Sequence, residues 1–296
     1  MGQMTFAAYC REKARVAERA PLVPFQTWSE DTAGVDLLPL GSLWTRTWFD
    51  GVFYRSAGAR APDLPVVTLV HDWPPADRHS EGTPGPAADD TARHLIHEGL
   101  ARVDADAVLG GVGVVREPHF VGSVWHPELV ALREARGLPR HPIQIIVSES
   151  GRLPVDACLL FDEPSLHVVI VTATRSVENL SERLRTRPWI RILDAGQSLN
   201  LRHALTILRG EGIAVISALG GRRVASSLLA AGLVTDVYLT SVGESGQAHP
   251  RDFHDGPPVL HQRVLAKTSH RGTRHVRFEH LVTPAGHLFG ALRVGN

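Results

Sequence analysis

Residues 213–224 read Ile-Ala-Val-Ile-Ser-Ala-Leu-Gly-Gly-Arg-Arg-Val, and the expected fold is built outward from this stretch. The run Ile213–Ser217 is apolar, rich in β-branched residues and too short for a helix, which predicts a buried strand. After the two glycines, apolar residues recur at helical spacing until Gly232, where a glycine past the last turn ends the helix. Leu233–Ser241 is predicted to be a second strand, so the unit is strand, Gly-Gly turn, helix, strand.

The Gly-Gly turn of this unit is a candidate anion site. When the two strands are parallel, the turn lies at the carboxyl edge of the sheet, where the N–H groups and dipole of the following helix favour phosphate. Gly220 and Gly221 let the backbone approach a ligand closely, and Arg222 and Arg223 add positive charge. The alternative is that the glycines only make a tight turn between strand and helix. The stretch alone leaves both interpretations open.

Strands alternate with helices along most of the remaining chain. The other predicted strands are Val66–Val70, Asp106–Leu109, Ile143–Val147, Val168–Val171 and Ile190–Leu193. The predicted helices are Ala88–Val103, Trp125–Gly137, Val177–Arg185 and Leu199–Arg209. This alternation predicts a three-layer α/β fold, with a mostly parallel central sheet covered by helices on both faces. The carboxyl ends of the strands then share one edge, where ligands of open α/β sheets bind.

A C-terminal antiparallel hairpin is predicted at one edge of this sheet. His275–Val282 and His287–Val294 read as strands, and Pro284-Ala285-Gly286 between them is a turn signal. The residues between Ser241 and His275 read as loop and weak strand. An exposed strand edge needs a cover or a symmetric partner.

Residues 1–63 are predicted to form an N-terminal extension, and residues 64–296 the main domain. The extension combines a helix over residues 1–20 with an irregular wrap rich in Pro and Gly. Its most aromatic segment, residues 43–54, must be covered, because aromatic side chains bury large apolar areas. The segment is interpreted either as a structural cover on the main domain or as the lining of a substrate pocket.

Composition excludes several classes of function. The chain of 296 residues has 31 Lys and Arg against 31 Asp and Glu, so no net field favours nucleic acid or a membrane surface. No run reaches the roughly 18 apolar residues that span a bilayer. The first 20 residues lack the apolar core of a signal peptide, and the two cysteines, Cys10 and Cys158, suggest neither a disulfide framework nor a zinc site. A cytoplasmic protein is expected.

Two groups of histidines have spacings that occur in metal sites. His71, Asp72 and His79 are close in sequence, and His94 and His97 are three residues apart on a predicted helix. Sixteen histidines are scattered through the chain, so such groups arise by chance, and no metal site is expected.

Residues 217–236, with the Gly-Gly turn, resemble the corresponding segment of the riboflavin-biosynthesis reductase domain, a family with the dihydrofolate-reductase fold. Two more segments are similar to that family: residues 105–116, which read ADAVLGGVGVVR, and residues 137–154. The similarity extends from about Leu64 to Val282. It implies that the cofactor is NADPH and that its pyrophosphate lies at the Gly-Gly turn. The residues implied to bind it there are Leu219, Gly220, Gly221, Arg222, Arg223 and Val224.

The resemblance also implies cofactor contacts at three other strand ends. Gly111, Gly113 and Arg116 would contact the nucleotide at the first glycine-rich turn. Ser148 and Arg152 would face the ribose 2′-phosphate, which selects NADPH over NADH. Thr172, at the next strand exit, would lie beside the adenine.

The loop after the first strand carries the candidate catalytic acids, Asp72 and Asp77. The family has a Ser-x-Asp-Gly-like motif there, beside nicotinamide and substrate, and either aspartate would supply its acid. Neither is followed by glycine, which is a departure from the family. Leu219 replaces the family's acidic residue before the two glycines, and Val114 replaces its threonine.

The sequence therefore predicts an NADPH-dependent reductase that transfers a hydride to a C=N or similar group. The substrate would be a flat heterocycle, pyrimidine- or pteridine-like as in riboflavin biosynthesis, or a compound of secondary metabolism. The alternative is a non-redox protein on the same fold, which binds or transforms a heterocycle without NADPH. The family implies a homodimer, with sheet edges meeting across the interface. If residues 43–54 cover the edge instead, the protein is a monomer.

Overall fold

The computed structural model describes residues 5–32, 36–40, 43–51, 53–59, 61–73, 92–117, 119–219, 222–244, 262–271 and 274–282. Its strands are β1 (Gln26–Glu30), β2 (Leu37–Leu40), β3 (Phe53–Ser56), β4 (Val66–Trp73), β5 (Ala107–Gly111), β6 (Ile143–Val147), β7 (Val168–Thr172), β8 (Ile190–Asp194), β9 (Val215–Leu219), β10 (Asp236–Glu244), β11 (Gln262–Arg271) and β12 (Arg274–Val282). Its α-helices are α1 (Phe6–Glu18), α2 (Leu43–Trp48), α3 (Pro127–Ala135), α4 (Leu159–Asp162), α5 (Thr174–Arg183), α6 (Leu201–Gly210) and α7 (Arg222–Ala230). Ala92–Glu98 forms a π-helix, and Val114–Arg116 a 3₁₀ turn.

Ten of the described strands form one sheet, in the order β1-β11-β12-β10-β4-β9-β5-β6-β7-β8. The seven strands from β10 to β8 run parallel, and β1, β11 and β12 are antiparallel to their neighbours. The prediction of a mostly parallel sheet with an antiparallel edge is confirmed. Among the described residues, no helix is both long and apolar enough to cross a bilayer.

Helices cover both faces of the sheet, because successive residues of its buried strands point to opposite sides. In β6, Ile145 and Val147 join the apolar core under α6 and α7, whereas Ile146 joins a second core with α1, α4 and α5. Strands buried on both faces are continuous apolar runs, which is why the pattern of Ile143–Val147 or Val168–Val171 identified them.

The C-terminal hairpin forms with a different partner strand from the one predicted. β12 matches the predicted strand His275–Val282, and it pairs with β11, which precedes it in the chain. The predicted strand His287–Val294 lies outside the described residues. The residues before His275 were interpreted as loop and weak strand because β11, Gln-Arg-Val-Leu-Ala-Lys-Thr-Ser-His-Arg, is mostly polar. Backbone pairing with both β1 and β12 decides its conformation.

The prediction of a helix over Ala88–Val103 is correct over the described residues 92–98, but they form a π-helix and not an α-helix. The amide of Gly99 bonds the carbonyl of His94 at 3.0 Å, and the amide of Val103 bonds that of Glu98 at 2.8 Å, so the hydrogen bonds span five residues. Such π-type turns are rare and concentrate at functional sites. Apolar periodicity does not separate a π-helix from an α-helix over so few turns.

The N-terminal extension contributes a strand to the sheet. β1 pairs antiparallel with β11, with Gln26 opposite Thr268. The buried ammonium of Lys267 bonds Thr27 Oγ1 at 2.7 Å, the carbonyl of Asp50 at 2.9 Å and the carbonyl of Phe49. The prediction of an irregular wrap is therefore wrong over β1, and also over α2 and the paired strands β2 and β3. The cover of the β11 edge comes from residues 26–30 rather than from residues 43–54.

Aromatic residues of the extension pack on the sheet. Phe25 and Phe49 are fully buried, with ring centroids 4.9 Å apart, and both rings lie against Phe278 of β12. Of these two rings, Phe49 belongs to residues 43–54, and its packing on the sheet is what a structural cover requires. The domain boundary at residue 63 stays a prediction.

Candidate functional site

The strand order reverses direction between β5 and β9. From β5 the chain steps outward through β6 and β7 to β8, and α6 then returns it to β9, between β4 and β5. The connections that leave β5 and β9 therefore run to opposite sides. Ligands of open α/β sheets bind at such a reversal, outside the carboxyl ends of the strands.

Two of the predicted cofactor-binding segments meet at this reversal. A Cβ added to Gly111, at the end of β5, would lie 2.8 Å from Cγ2 of Val224 in the first turn of α7. A Cβ on the preceding Gly110 would lie equally close to Val114 Cγ2. The glycines of β5 thus let its exit close onto the start of α7. Gly113 precedes the following 3₁₀ turn and Arg116 is its last residue, and both are exposed.

The exits of β6 and β7 are joined by a hydrogen bond between two predicted site residues. Thr172 is fully buried, and its hydroxyl donates to the carbonyl of Ser148 at 2.7 Å. Ser148 is 2% exposed, and its own Oγ has no hydrogen-bond partner among the described residues. A buried hydroxyl without a partner is costly, so it suits a site that a polar ligand group completes.

Arg152 stands on a turn whose shape depends on glycine. Gly151 has φ +65°, and a Cβ there would lie 3.0 Å from Ser176 Cβ. The Arg152 side chain is exposed, and within the described part of the chain it has no ion-pair partner, whereas Arg175 nearby pairs with Glu149 at 3.0 Å. Arg152 is thus a cation of this edge that is available to an anion.

The remaining predicted site residues are described only in part. Leu219 is 6% exposed at the end of β9, opposite Val70 of β4. Arg223 is exposed in α7, and Arg222 is the first residue of that helix. Asp72 lies in β4, where its backbone pairs with Thr240 of β10. Gly220, Gly221 and Asp77 lie outside the described residues.

A buried cluster that was not predicted as a site lies on the face opposite α6 and α7. Nδ1 of His94 is 3.1 Å from Oε1 of Glu98, and both side chains are buried. The amides of Trp125 and His126 donate to the other oxygen of Glu98, at 2.8 and 3.0 Å. The ring of His126 lies 4.4 Å from that of Trp44, so the cluster reaches the aromatic segment of the extension.

The charge of Glu98 is stabilised by its partners. Burial alone raises a carboxyl pKa, but His94 and the two backbone N–H groups outweigh it and lower the pKa of Glu98. Burial, together with the charge of His94, lowers the pKa of His126. The cluster therefore places a carboxylate beside the imidazole of His94 in a buried environment. The spacing of His94 and Glu98 is visible in the sequence, but the burial of the two side chains is not.

The histidine groups with metal-like spacing give no metal centre in the described residues. His94 and His97 share the π-helix, yet within that part of the chain no three His, Cys, Asp or Glu side chains lie close enough together to hold a metal ion. His79 lies outside the described residues.

The parallel sheet, the reversal between β5 and β9 and the glycine-rich exits define an α/β fold of the dihydrofolate-reductase type. More specifically, the chain belongs to the RibD C-terminal domain family, whose sequence model matches residues 73–244, more than half of the chain. This is the riboflavin-biosynthesis reductase family that the sequence resembles, and the chain is therefore assigned to a family of oxidoreductases. No protein with curated annotation matches the sequence.

One solved structure supports the fold, and two others are similar at lower scores. A pyrimidine reductase-like protein from Corynebacterium diphtheriae superposes with a TM-score of 0.57 at 19% identity, covering 74% of this chain and 91% of its own. The deaminase–reductase of Thermotoga maritima gives 0.48 at 16% identity, with 73% and 56% covered. The riboflavin biosynthesis reductase of Saccharomyces cerevisiae gives 0.45 at 17%, with 74% and 91% covered. At 19% identity, the likeness to the Corynebacterium protein is one of fold alone.

Proposed function

We propose that the protein is an NADPH-dependent reductase that transfers a hydride to a C=N or similar group of a flat heterocycle. The observation that carries the proposal is the closure of Gly111 onto Val224, which brings the glycine-rich end of β5 against the first turn of α7 at the reversal of the sheet. Backbone N–H groups at such a junction, at the start of a helix, bind pyrophosphate. Family membership supports the reaction type.

Side chains along the carboxyl edge are proposed to hold the rest of the cofactor. Ser148 Oγ, buried without a partner among the described residues, would bond the ribose phosphate, and the exposed Arg152 would pair with its charge. Thr172 would position this segment, because its hydroxyl fixes the Ser148 carbonyl. Bound NADPH supplies the hydride, and the protein contributes orientation and electrostatics.

The acid next to the substrate is proposed to be Asp72 or Asp77, at and after the end of β4. β4 lies beside β9, so its carboxyl end adjoins the start of α7 and the proposed pyrophosphate site. A carboxyl group there would hold the proton that accompanies hydride transfer. The substrate is proposed to be pyrimidine- or pteridine-like. The alternative substrate is a related compound of secondary metabolism, which is favoured because the sequence after β4 departs from the Ser-x-Asp-Gly-like motif of the family.

Titration with NADPH and NADH tests the proposal. We expect NADPH to bind, with an increase in its fluorescence, and Gly221→Asp to abolish binding through bulk and charge while the variant stays folded. Arg152→Ala should weaken NADPH by about ten- to a hundredfold, the equivalent of a lost charge-assisted hydrogen bond of about 1.5–3 kcal/mol, and leave NADH nearly unchanged. Arg185→Ala, at a side chain 74% exposed, is the control for removal of a surface arginine.

Undiminished NADPH affinity in a folded Gly221→Asp protein would contradict the pyrophosphate assignment. Equal losses of both cofactors in Arg152→Ala would show that Arg152 does not read the 2′-phosphate.

One observation favours a second function, a non-redox protein that binds a heterocycle. Leu219, where the family has an acid, is apolar and 6% exposed, so the end of β9 offers no carboxylate. Uracil and lumazine serve as probes. If either probe raises the melting temperature of the protein and NADPH does not bind, this function would be favoured over the reductase.

A further inference from the structure

A cavity of about 500 Å³ lies at the edge of the sheet opposite the proposed cofactor site. Val66 and Val215, the first residues of β4 and β9, lie side by side in its wall, so the cavity adjoins the amino ends of the parallel strands. The segment after β3 and the end of α6 provide the other walls. The volume is in the range of small-molecule sites.

The lining of this cavity is aliphatic apart from two arginines. Its described residues are Arg55, Ala57, Gly58, Ala59, Ala61, Pro62, Leu64, Val66, Arg209, Ala214 and Val215. None of them is acidic. The nearby described carboxylates have other partners. Asp106 accepts from the amides of Ala214 and Val215 at 2.8 and 2.9 Å, and Asp236 accepts from Ser56 at 2.8 Å. Asp63 accepts from Thr206 at 3.3 Å, and Glu211 pairs with Arg191.

Neither arginine is neutralised within the described part of the chain. Arg55 Nε is buried without a hydrogen-bond partner there, and its Nη1 makes only a long bond, 3.4 Å, to the carbonyl of Ser56. Arg209, half-buried in the last turn of α6, has no carboxylate within ion-pair distance in the same part. A buried guanidinium donor without an acceptor is costly, and an anionic ligand group would satisfy it.

Arg55 is held in place by the residue that follows it. The hydroxyl of Ser56 donates to Asp236 at 2.8 Å, and His280 Nε2 lies 2.8 Å from the same carboxylate oxygen. Ser56, Asp236 and His280 are all buried, so this network fixes β3 against β10 and β12. The arginine therefore enters the cavity wall from a rigid backbone, as a preorganised site requires.

We propose that this cavity binds a small organic anion, with its carboxylate or phosphate head between Arg55 and Arg209 and an aliphatic body against the Ala, Pro, Leu and Val side chains. Both parts of the ligand are required by the lining. The head alone would leave the apolar wall in contact with water, and the body alone would leave two guanidinium groups unpaired. The site is separate from the proposed cofactor edge, because it adjoins the opposite ends of the same strands.

The test measures the binding of four probes to the full chain by ligand-observed NMR and by thermal shift. Hexanoate and hexyl phosphate carry both parts, inorganic phosphate carries only the head, and 1-hexanol only the body. We expect the two complete anions to bind at least about tenfold more tightly than either part alone. Arg209→Glu should weaken the complete anions by about ten- to a hundredfold, as the loss of a charge-assisted contact predicts.

Arg202→Glu is the matched control, since Arg202 is exposed at the other end of α6 and bonds the carbonyl of Ala231 at 3.1 Å. This variant should bind the anions like the wild type. Arg209→Gln removes the charge without reversing it and should give an intermediate loss. Hexanoate that binds no better than hexanol, or that binds Arg209→Glu as well as the wild type, would overturn the proposal. NADPH titration of Arg209→Glu is expected to match the wild type, which separates this site from the cofactor site.

Discussion

Gly111→Ala is the substitution whose cost follows most directly from the structure. The new methyl group would lie 2.8 Å from Cγ2 of Val224, well inside van der Waals contact. Val224 is β-branched, lies in a helix and is 8% exposed, so it has little freedom to turn away. Inserting one methyl into such packing costs about 1–3 kcal/mol. Because the φ of Gly111 is not positive, alanine can adopt the same backbone conformation without strain. Alanine also lowers the conformational entropy of the unfolded chain, which offsets about 0.4–1 kcal/mol of the loss in stability.

The free energy of unfolding should therefore fall by about 1–2 kcal/mol in Gly111→Ala, measured by urea denaturation. Val224→Ala removes the opposing methyl groups and costs about 1–2 kcal/mol by itself. In the double variant the clash is gone, so the two losses should fall short of additivity by about 1 kcal/mol or more. NADPH affinity should fall in Gly111→Ala and recover in part in the double variant.

Gly210→Ala is the control, because a Cβ at Gly210 meets no atom within 4 Å and alanine favours the helix. It should leave stability unchanged or slightly raised. Additive losses in the double variant, or a Gly111→Ala protein as stable as the wild type, would show that the end of β5 does not press on α7, and the proposed cofactor site would lose its main support.

Three further predictions concern a buried arginine, a histidine and assembly. Arg133 is fully buried and donates to the carbonyls of Pro139, Arg102 and Ala105. Arg133→Met should therefore lower the free energy of unfolding, measured by urea denaturation, by about 3–5 kcal/mol. A loss below about 1 kcal/mol would refute the role of these hydrogen bonds. Burial first, then Arg140 and Arg133, lower the pKa of His141 to about 4. As the pH drops from about 6.5 to about 4, His141 is therefore protonated in the unfolded state but not yet in the folded state. The free energy of unfolding should fall by about 1–2 kcal/mol over this range, after allowance for solvent screening. In His141→Gln this part of the pH dependence should disappear, and an unchanged profile would show that other groups cause it. We also predict a homodimer, for which light scattering at micromolar concentration should give about twice the chain mass of 32.2 kDa; the monomer mass would contradict it.

The parallel part of the fold was predictable because its strands are buried on both faces. β6 is apolar apart from Gln144 and β7 apart from its last residue, Thr172, and this pattern requires no knowledge of the partner strands. β1 and β11 carry no such pattern. Their conformation depends on a pairing between Gln26–Glu30 and Leu265–Thr268, which local sequence does not encode.

The site was predictable as a set of strand exits, but not as a set of contacts. The glycines after β5 and the serine after β6 are visible as residue types, and the parallel topology brings their ends to one edge. That Gly111 meets Val224, or that Thr172 is bonded to Ser148, depends on the strand order, in which β9 returns between β4 and β5. The burial of Glu98 depends on the unusual winding of its helix, which periodicity does not reveal.

The pairing of β1 with β11 has a consequence for how the chain folds during synthesis. Gln26 leaves the ribosome early, whereas its partner Thr268 is made roughly 240 residues later. At about 5–20 residues per second the first strand waits on the order of 10–50 s without its partner. Neither the Phe25 ring nor the Thr27 hydroxyl reaches its contacts on Phe278 and Lys267 until then. The parallel core from β4 to β10 is complete by that time, so the amino-terminal strand is expected to be among the last parts of the protein to reach its native position.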